Sequence, residues 1–212
     1  MKKMSLLLLL IFLMLQGYPQ ENTIQNLPAA VSGSLTEWLE KIPAGREAQY
    51  GFRNRSDFSR ASLGVPVQVF TLDDAFFTQP GTSPTLKSTG EWRIPVIVDG
   101  KNCALVTVVK INGDWKIVDL GAHVLAQELA AMQERFTPAQ FSVIKLFRVY
   151  PLQSDFLFYA DPMAAPGQVT LLPLHSATLN IERLNESPVK TRNLDEVAGM
   201  IRETLSANNQ NR

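Results

Sequence analysis

Few side chains in this sequence can do nucleophilic, acid–base or metal chemistry, so their spacing is weighed first. Histidine occurs twice, at His123 and His175, and cysteine once, at Cys103. A tetrahedral metal site needs three or four such ligands converging, and neither His-x-x-x-His nor Cys-x-x-Cys spacing is present. No structural metal and no cofactor are therefore expected. His175-Ser176 is the most suggestive pair, because an imidazole can activate a serine when an acid orients it, and Asp155 and Asp161 lie nearby. Adjacent residues point different ways, however, and Ser176 reads more simply as the N-cap of the next segment. A hydrolase using His175 and Ser176 stands as an alternative, and no catalytic residue is assigned. Cys103 falls within an apolar run, where a thiol behaves as a small hydrophobe, and is expected buried and free. His123 reads as a solvated residue near a helix start. Asp73-Asp74 would point to opposite faces of an extended segment and read as a turn. Neither Gly-x-Ser-x-Gly nor a phosphate-binding Gly-x-x-x-x-Gly-Lys occurs.

The better site candidate is a sheet face. Residues 91–120 hold three apolar runs joined by Asp99-Gly100 and Asn112-Gly113, pairs favoured where a two-residue hairpin turn needs positive φ. With both turns at two residues, Val96 faces Cys103, Ile94 faces Leu105 and Thr107 faces Val118. One face then collects Trp92, Ile94, Val96, Cys103, Leu105, Val109, Ile111, Val118 and Leu120 as core. The other carries Arg93, Ile97, Val106, Val108, Lys110, Trp115, Ile117 and Asp119, too apolar for bare solvent and too charged for deep core. Arg93 and Asp119 flank Val106 there, with Trp115 two places along. Arg93, Trp115 and Asp119 are the predicted binding residues. Their structural reading is a cross-strand charge pair on a half-covered sheet. The stretch 45–62 mixes Arg46, Arg53, Arg55 and Arg60 with Tyr50, Phe52 and Phe58. It could hold an anion or a peptide, but an ordinary solvated loop is the simpler expectation.

Around these residues the pattern predicts a fold. Ser34-Leu35-Thr36-Glu37 resembles a capping box, opening a helix over 35–42 that Pro43 ends. Residues 63–72 read as a strand in which Pro66 favours an edge or a bulge, and 78–90 as a surface loop. A helix comes next at 122–135, with Leu125, Leu129, Met132 and Phe136 on one face. Strands are expected over 142–152, 155–160 and 168–174, while 177–184 fits strand or helix. A last helix spans 194–206 on Leu194, Val197, Ile201 and Leu205. Strands in runs, rather than strict alternation with helices, give α+β: a mainly antiparallel sheet, the three-stranded meander 91–120 plus further strands, packed on one side against helices. The run Asn112-Gly113-Asp114-Trp115-Lys116-Ile117-Val118 resembles cystatin-like and nuclear-transport-factor-like α+β domains over about twenty residues. That resemblance implies a fold of this class and transfers no residue or activity.

The ends and composition bound the rest. Lys2 and Lys3 precede an apolar run over 4–15, and 16–20 turn polar. A spanning helix needs about 20 apolar residues, so the run reads as a signal peptide over 1–20, removed on export. The remainder is expected to form a single domain over 21–206, with a subdivision conceivable near 137, and a disordered tail over 207–212. The 20 basic and 20 acidic residues balance, which gives no reason to expect nucleic acid. No membrane span is expected after cleavage, and the setting is periplasmic or secreted. The functional expectation is a non-catalytic binding or interaction module for a protein or small-molecule partner, not an enzyme. The alternatives are a small-molecule pocket on the Arg93 face and the His175/Ser176 hydrolase.

Overall fold

The computed structural model describes residues 26–136, 144–160, 169–185 and 191–210. The expected signal peptide and position 137 lie outside them. The first helix, α1 (Leu27–Glu40), begins well before the expected start at 35. Leu27, Val31, Leu35 and Leu39 are all buried and recur every fourth residue, so the apolar stripe extends upstream of the capping-box pattern. Ser34 is an exposed residue inside the helix and caps nothing. Each of those four apolar side chains contributes about 2 kcal/mol on burial.

The stretch 45–62 is not a plain solvated loop. Two 3₁₀ turns, Glu47–Tyr50 and Arg55–Arg60, bury Phe52 against Phe58 with ring centroids 5.2 Å apart. They also bury Asp57, which holds Arg53 at 3.2 Å and Arg60 at 2.6 Å. Arg55 pairs with Glu40 and Glu47. Three of the four arginines are thus paired with acidic residues of the fold, from partly exposed positions. Between the turns, Gly51 adopts φ +86° in close contact with the Cys103 carbonyl.

The central element is a sheet of nine strands, among the described residues: β1 (Ser62–Leu63), β2 (Val67–Leu72), β3 (Leu86–Val98), β4 (Lys101–Ile111), β5 (Asp114–Gly121), β6 (Lys145–Val149), β7 (Ser154–Ala160), β8 (Val169–Pro173) and β9 (Arg192–Asn193). Its order is β5-β4-β3-β2-β6-β7-β8-β9, with β1 beside β3. Every pairing is antiparallel except β2 with β6. The fold is α+β. Because β2 joins β6, the segments before and after 137 share one sheet. Pro66 precedes β2, which lies inside the sheet rather than at its edge, and 86–90 belong to β3 rather than to a loop. The expected strand 142–152 stops at Val149, where Tyr150–Leu152 turns as a 3₁₀ helix. The ambiguous 177–184 resolves into α4 (His175–Asn180) and α5 (Glu182–Asn185). The helix α2 (Asp74–Thr78) opens on Asp73, whose carboxylate accepts the Ala75 N–H.

Helices cover both faces, not one. The helix α1 packs on Trp92, Ile94, Val96, Val106 and Ile117. The last helix, α6 (Leu194–Gln210), covers Phe147, Val149, Phe156 and Leu171 on the same side, and its final turn runs past the expected end at 206. The opposite face takes α3 (His123–Arg135), whose Leu125, Ala126 and Leu129 meet Val69, Leu105, Leu146 and Leu157.

The meander departs from the expected register for one reason, repeated twice. Both turns have the predicted two residues, with φ of 50° and 77° at Asp99-Gly100 and 53° and 93° at Asn112-Gly113. A bulge then inserts Cys103, so Val96 meets Ala104 and Ile94 meets Val106. A second inserts Val118, so Thr107 meets Asp119. An extra residue sends every later side chain to the other face. Val106, Val108 and Ile117 therefore enter the core under α1, Leu105 turns beneath α3, and Ile111 and Val118 are exposed. Cys103 is buried and free as expected, but its neighbour across the ladder is not Val96.

Candidate functional site

Beyond the apolar footprint of α3, polar side chains occupy its face of the sheet. In a strand, residues two apart share a face. Thr107 lies two beyond Leu105, Arg148 two beyond Leu146, and Asp155 two before Leu157, all on the α3 side but past its apolar footprint. Arg93 lies opposite Thr107 on β3.

The structure brings two of the three predicted residues together. With both bulges in place, Arg93, Thr107 and Asp119 are successive partners across β3, β4 and β5, and Thr107 occupies the position expected for Val106. Trp115 does not join them. It lies on the other face, packed against the α1 core with Lys110 over its ring at 5.7 Å. The cause is the Val118 bulge, which separates the parities of Trp115 and Asp119.

Arg93 is about nine-tenths buried, yet its guanidinium is sparsely satisfied. Nη1 donates to Thr107 Oγ1. Asp119 Oδ2 stands 3.8 Å from Nη1 and Glu91 Oε2 stands 3.9 Å from Nη2, both beyond direct hydrogen-bond length. Nε is buried without a partner among the described residues. Native interiors rarely leave such a donor unmade, because its desolvation goes uncompensated.

The polar lane continues on β6 and β7. Arg148 and Asp155 are ladder partners, and Arg148 Nη1 lies 3.0 and 3.1 Å from the two Asp155 carboxylate oxygens. Ser176 Oγ donates to Asp155 Oδ2 at 3.1 Å and accepts the Asp155 N–H at 2.9 Å. Burial pushes the Asp155 carboxyl above its ordinary pKa, opposed by the charges of Arg148 and Arg93 and by the Ser176 hydroxyl. Tyr150 bridges the two halves. Its hydroxyl pKa is pushed up to about 12, first by burial and then by the neighbouring Glu91 carboxylate. The Arg148 guanidinium lies 5.6 Å from the centre of its ring, and Tyr150 is still 41% exposed as a residue. From β5 to α4 the charges run Asp119, Arg93, Glu91, Arg148, Asp155, with Tyr150 between Glu91 and Arg148.

Among the described residues no hydrogen bond links His175 to Ser176. Ser176 is bonded to Asp155 directly, and the bond from His175 to Glu128 Oε1, 2.7 Å, is made by its backbone N–H. Nor is Ser176 a cap: the N-cap of α4 is Leu174. Asp161 lies outside the described residues. Among the described residues no group of three or more His, Cys, Asp or Glu could hold a metal ion, and no helix is long and apolar enough to cross a membrane. Two surface hollows, about 450 and 300 Å³, lie away from the lane. One adjoins Arg192 and Asp195 at the start of α6, and the other lies between Phe76 and Arg202.

Sequence reasoning missed Glu91, Arg148 and Tyr150, and it named Asp155 only as an acid near His175 and Ser176, of which the structure pairs it with Ser176. The signal was a turn over 150–153, which would have set Arg148 opposite Asp155, but the apolar run through Leu152 masked it. Comparison with protein families, with curated proteins and with solved structures finds no match to this chain.

Proposed function

We propose that this chain is a non-catalytic binding module, exported from the cytoplasm, that engages its partner through the polar lane centred on Arg93 and Tyr150. The carrying observation is the state of Arg93: a nearly buried cation whose Nε has no partner among the described residues and whose acidic neighbours both stand out of direct reach. A group evolved only to pair would sit closer, as Arg148 does to Asp155. The export component rests on Lys2, Lys3 and the short apolar run over 4–15. Asp119 and Tyr150 are both exposed at the lane, whereas Glu37 is exposed on the far side of α1.

The test uses those positions. A photo-crosslinking residue is placed at Asp119, at Tyr150 or at Glu37, and the chain is expressed with a purification tag in its own cell envelope. Crosslinks should form at the two lane positions and not at Glu37. Equal capture at all three, or hydrolytic turnover lost in Ser176→Ala, contradicts the reading.

A further inference from the structure

Resting on the binding-module reading, we infer that the lane takes a neutral sugar. Charge balance sets the class. Two guanidinium groups, Arg93 and Arg148, alternate with three carboxyl groups, Asp119, Glu91 and Asp155, so an ionic ligand of either sign meets a repelling neighbour within the same site. A hydroxyl group does not, since it donates to a carboxylate and accepts from a guanidinium at once. At 3.8 Å from Arg93 to Asp119 and 3.9 Å to Glu91 the charges leave no room for an atom on the line between them, but a ligand oxygen set to one side of either pair can reach both charges. Two such positions on one guanidinium suit adjacent hydroxyls on one ring.

Tyr150 supplies the other half of the recognition. A pyranose presents an apolar C–H face as well as hydroxyls, and an exposed aromatic ring with polar groups at its rim offers an apolar platform beside hydrogen-bonding groups. Tyr150 is exposed, Glu91 stands by its hydroxyl, and Arg148 lies at its ring. A peptide would be held instead by a free sheet edge or an apolar pocket, and the lane is neither.

The probes are chitohexaose, cellohexaose and maltohexaose, titrated into the intact chain by calorimetry and followed by ligand-observed NMR. At least one should bind saturably. Tyr150→Ala should weaken it on the order of tenfold, while Tyr150→Phe, which keeps the ring, should stay within about threefold. Glu91→Gln should also weaken it, with an unchanged circular dichroism spectrum showing that the variant is folded. No binding by the folded chain to any of the three sugars overturns the inference, as does binding indifferent to Tyr150→Ala. Crosslinking at Asp119 and Tyr150 to a protein, with no sugar bound, overturns the sugar and leaves the binding-module reading standing. Hydrolysis of a probe removes the binding-module reading itself.

Discussion

Arg148 and Asp155 face each other across the β6–β7 ladder, with one guanidinium nitrogen within 3.1 Å of both carboxylate oxygens. The Asp155 side chain is only 6% exposed and the Arg148 side chain 23%. Removing the cation leaves a nearly buried charge with Ser176 as its remaining side-chain donor. Arg148→Ala should therefore cost about 2–3 kcal/mol in urea unfolding. Arg148→Ala/Asp155→Asn should recover part of that loss, since the neutral amide needs no counter-ion. An additive double mutant would show that Asp155 is carried by other groups.

The contact between α3 and α4 should have a pH signature. Burial raises the Glu128 pKa, partly offset by the His175 N–H and by the charge of His175. A carboxyl whose folded pKa is raised binds more protons in the folded state than in the unfolded one, so its contribution to stability falls as pH rises between the two values. The effect is fully present below the ordinary glutamate range and lost above the raised folded value. Glu128→Gln keeps an oxygen acceptor for the His175 N–H and cannot ionise. It should gain stability relative to the parent as pH rises from about 4 to about 7, read from urea midpoints. A constant difference across that range would contradict the assignment.

Gly51 is required by its place rather than by its turn alone. A Cβ there would fall 2.1 Å from the Cys103 carbonyl oxygen, at a φ of +86° that side chains rarely adopt. Gly45, at φ +82°, has open space around it. Gly51→Ala should destabilise the chain by about 3 kcal/mol or more and Gly45→Ala by about 1 kcal/mol. Thermal melts of the two variants compare clash plus strain with strain alone.

Cys103 is 8% exposed as a residue, and burial raises the pKa of its thiol. Maleimide should react slowly with the native chain at neutral pH and quickly in denaturant, because the thiolate is the nucleophile. Rapid native labelling would place the bulge residue outside the core.

Local features were the ones legible in the sequence. Asp99-Gly100 and Asn112-Gly113 announce their turns because few residue pairs accept two positive φ values, and the meander follows from them. The helix at 122–135 and the stripe from Leu194 to Ile201 follow from period. The bulges at Cys103 and Val118 had no such marker: both are apolar residues in apolar strands, and only packing against α1 and α3 decides which face each neighbour takes. Leu27 and Val31 carried the helical period, but the Ser34–Glu37 pattern offered a plausible later start. The parallel β2–β6 pairing joins distant segments, and no local residue preference encodes it. Arg93 and Asp119 were therefore the visible part of the candidate lane, while its part on β6 and β7 depended on that non-local pairing.

The Arg93–Asp119 relationship separates a structural charge pair from a binding site. At 3.8 Å, and with the Asp119 side chain 66% exposed, the pair is long and open to water. Exposed pairs of this kind contribute about 0–1 kcal/mol, less when the geometry is poor. Asp119→Ala should therefore change stability by less than about 0.5 kcal/mol. Arg93→Ala should cost about 1–3 kcal/mol, because it empties a packed position and strips Thr107 of its donor. The double-mutant cycle should give a coupling below about 0.5 kcal/mol. A coupling well above about 1 kcal/mol would mean that the two charges exist for each other, which is the structural reading suggested by their cross-strand placement. Weak coupling, with ligand binding lost in Asp119→Ala at full stability, would mean that the carboxylate serves a ligand group held beside it and Arg93 rather than Arg93 itself.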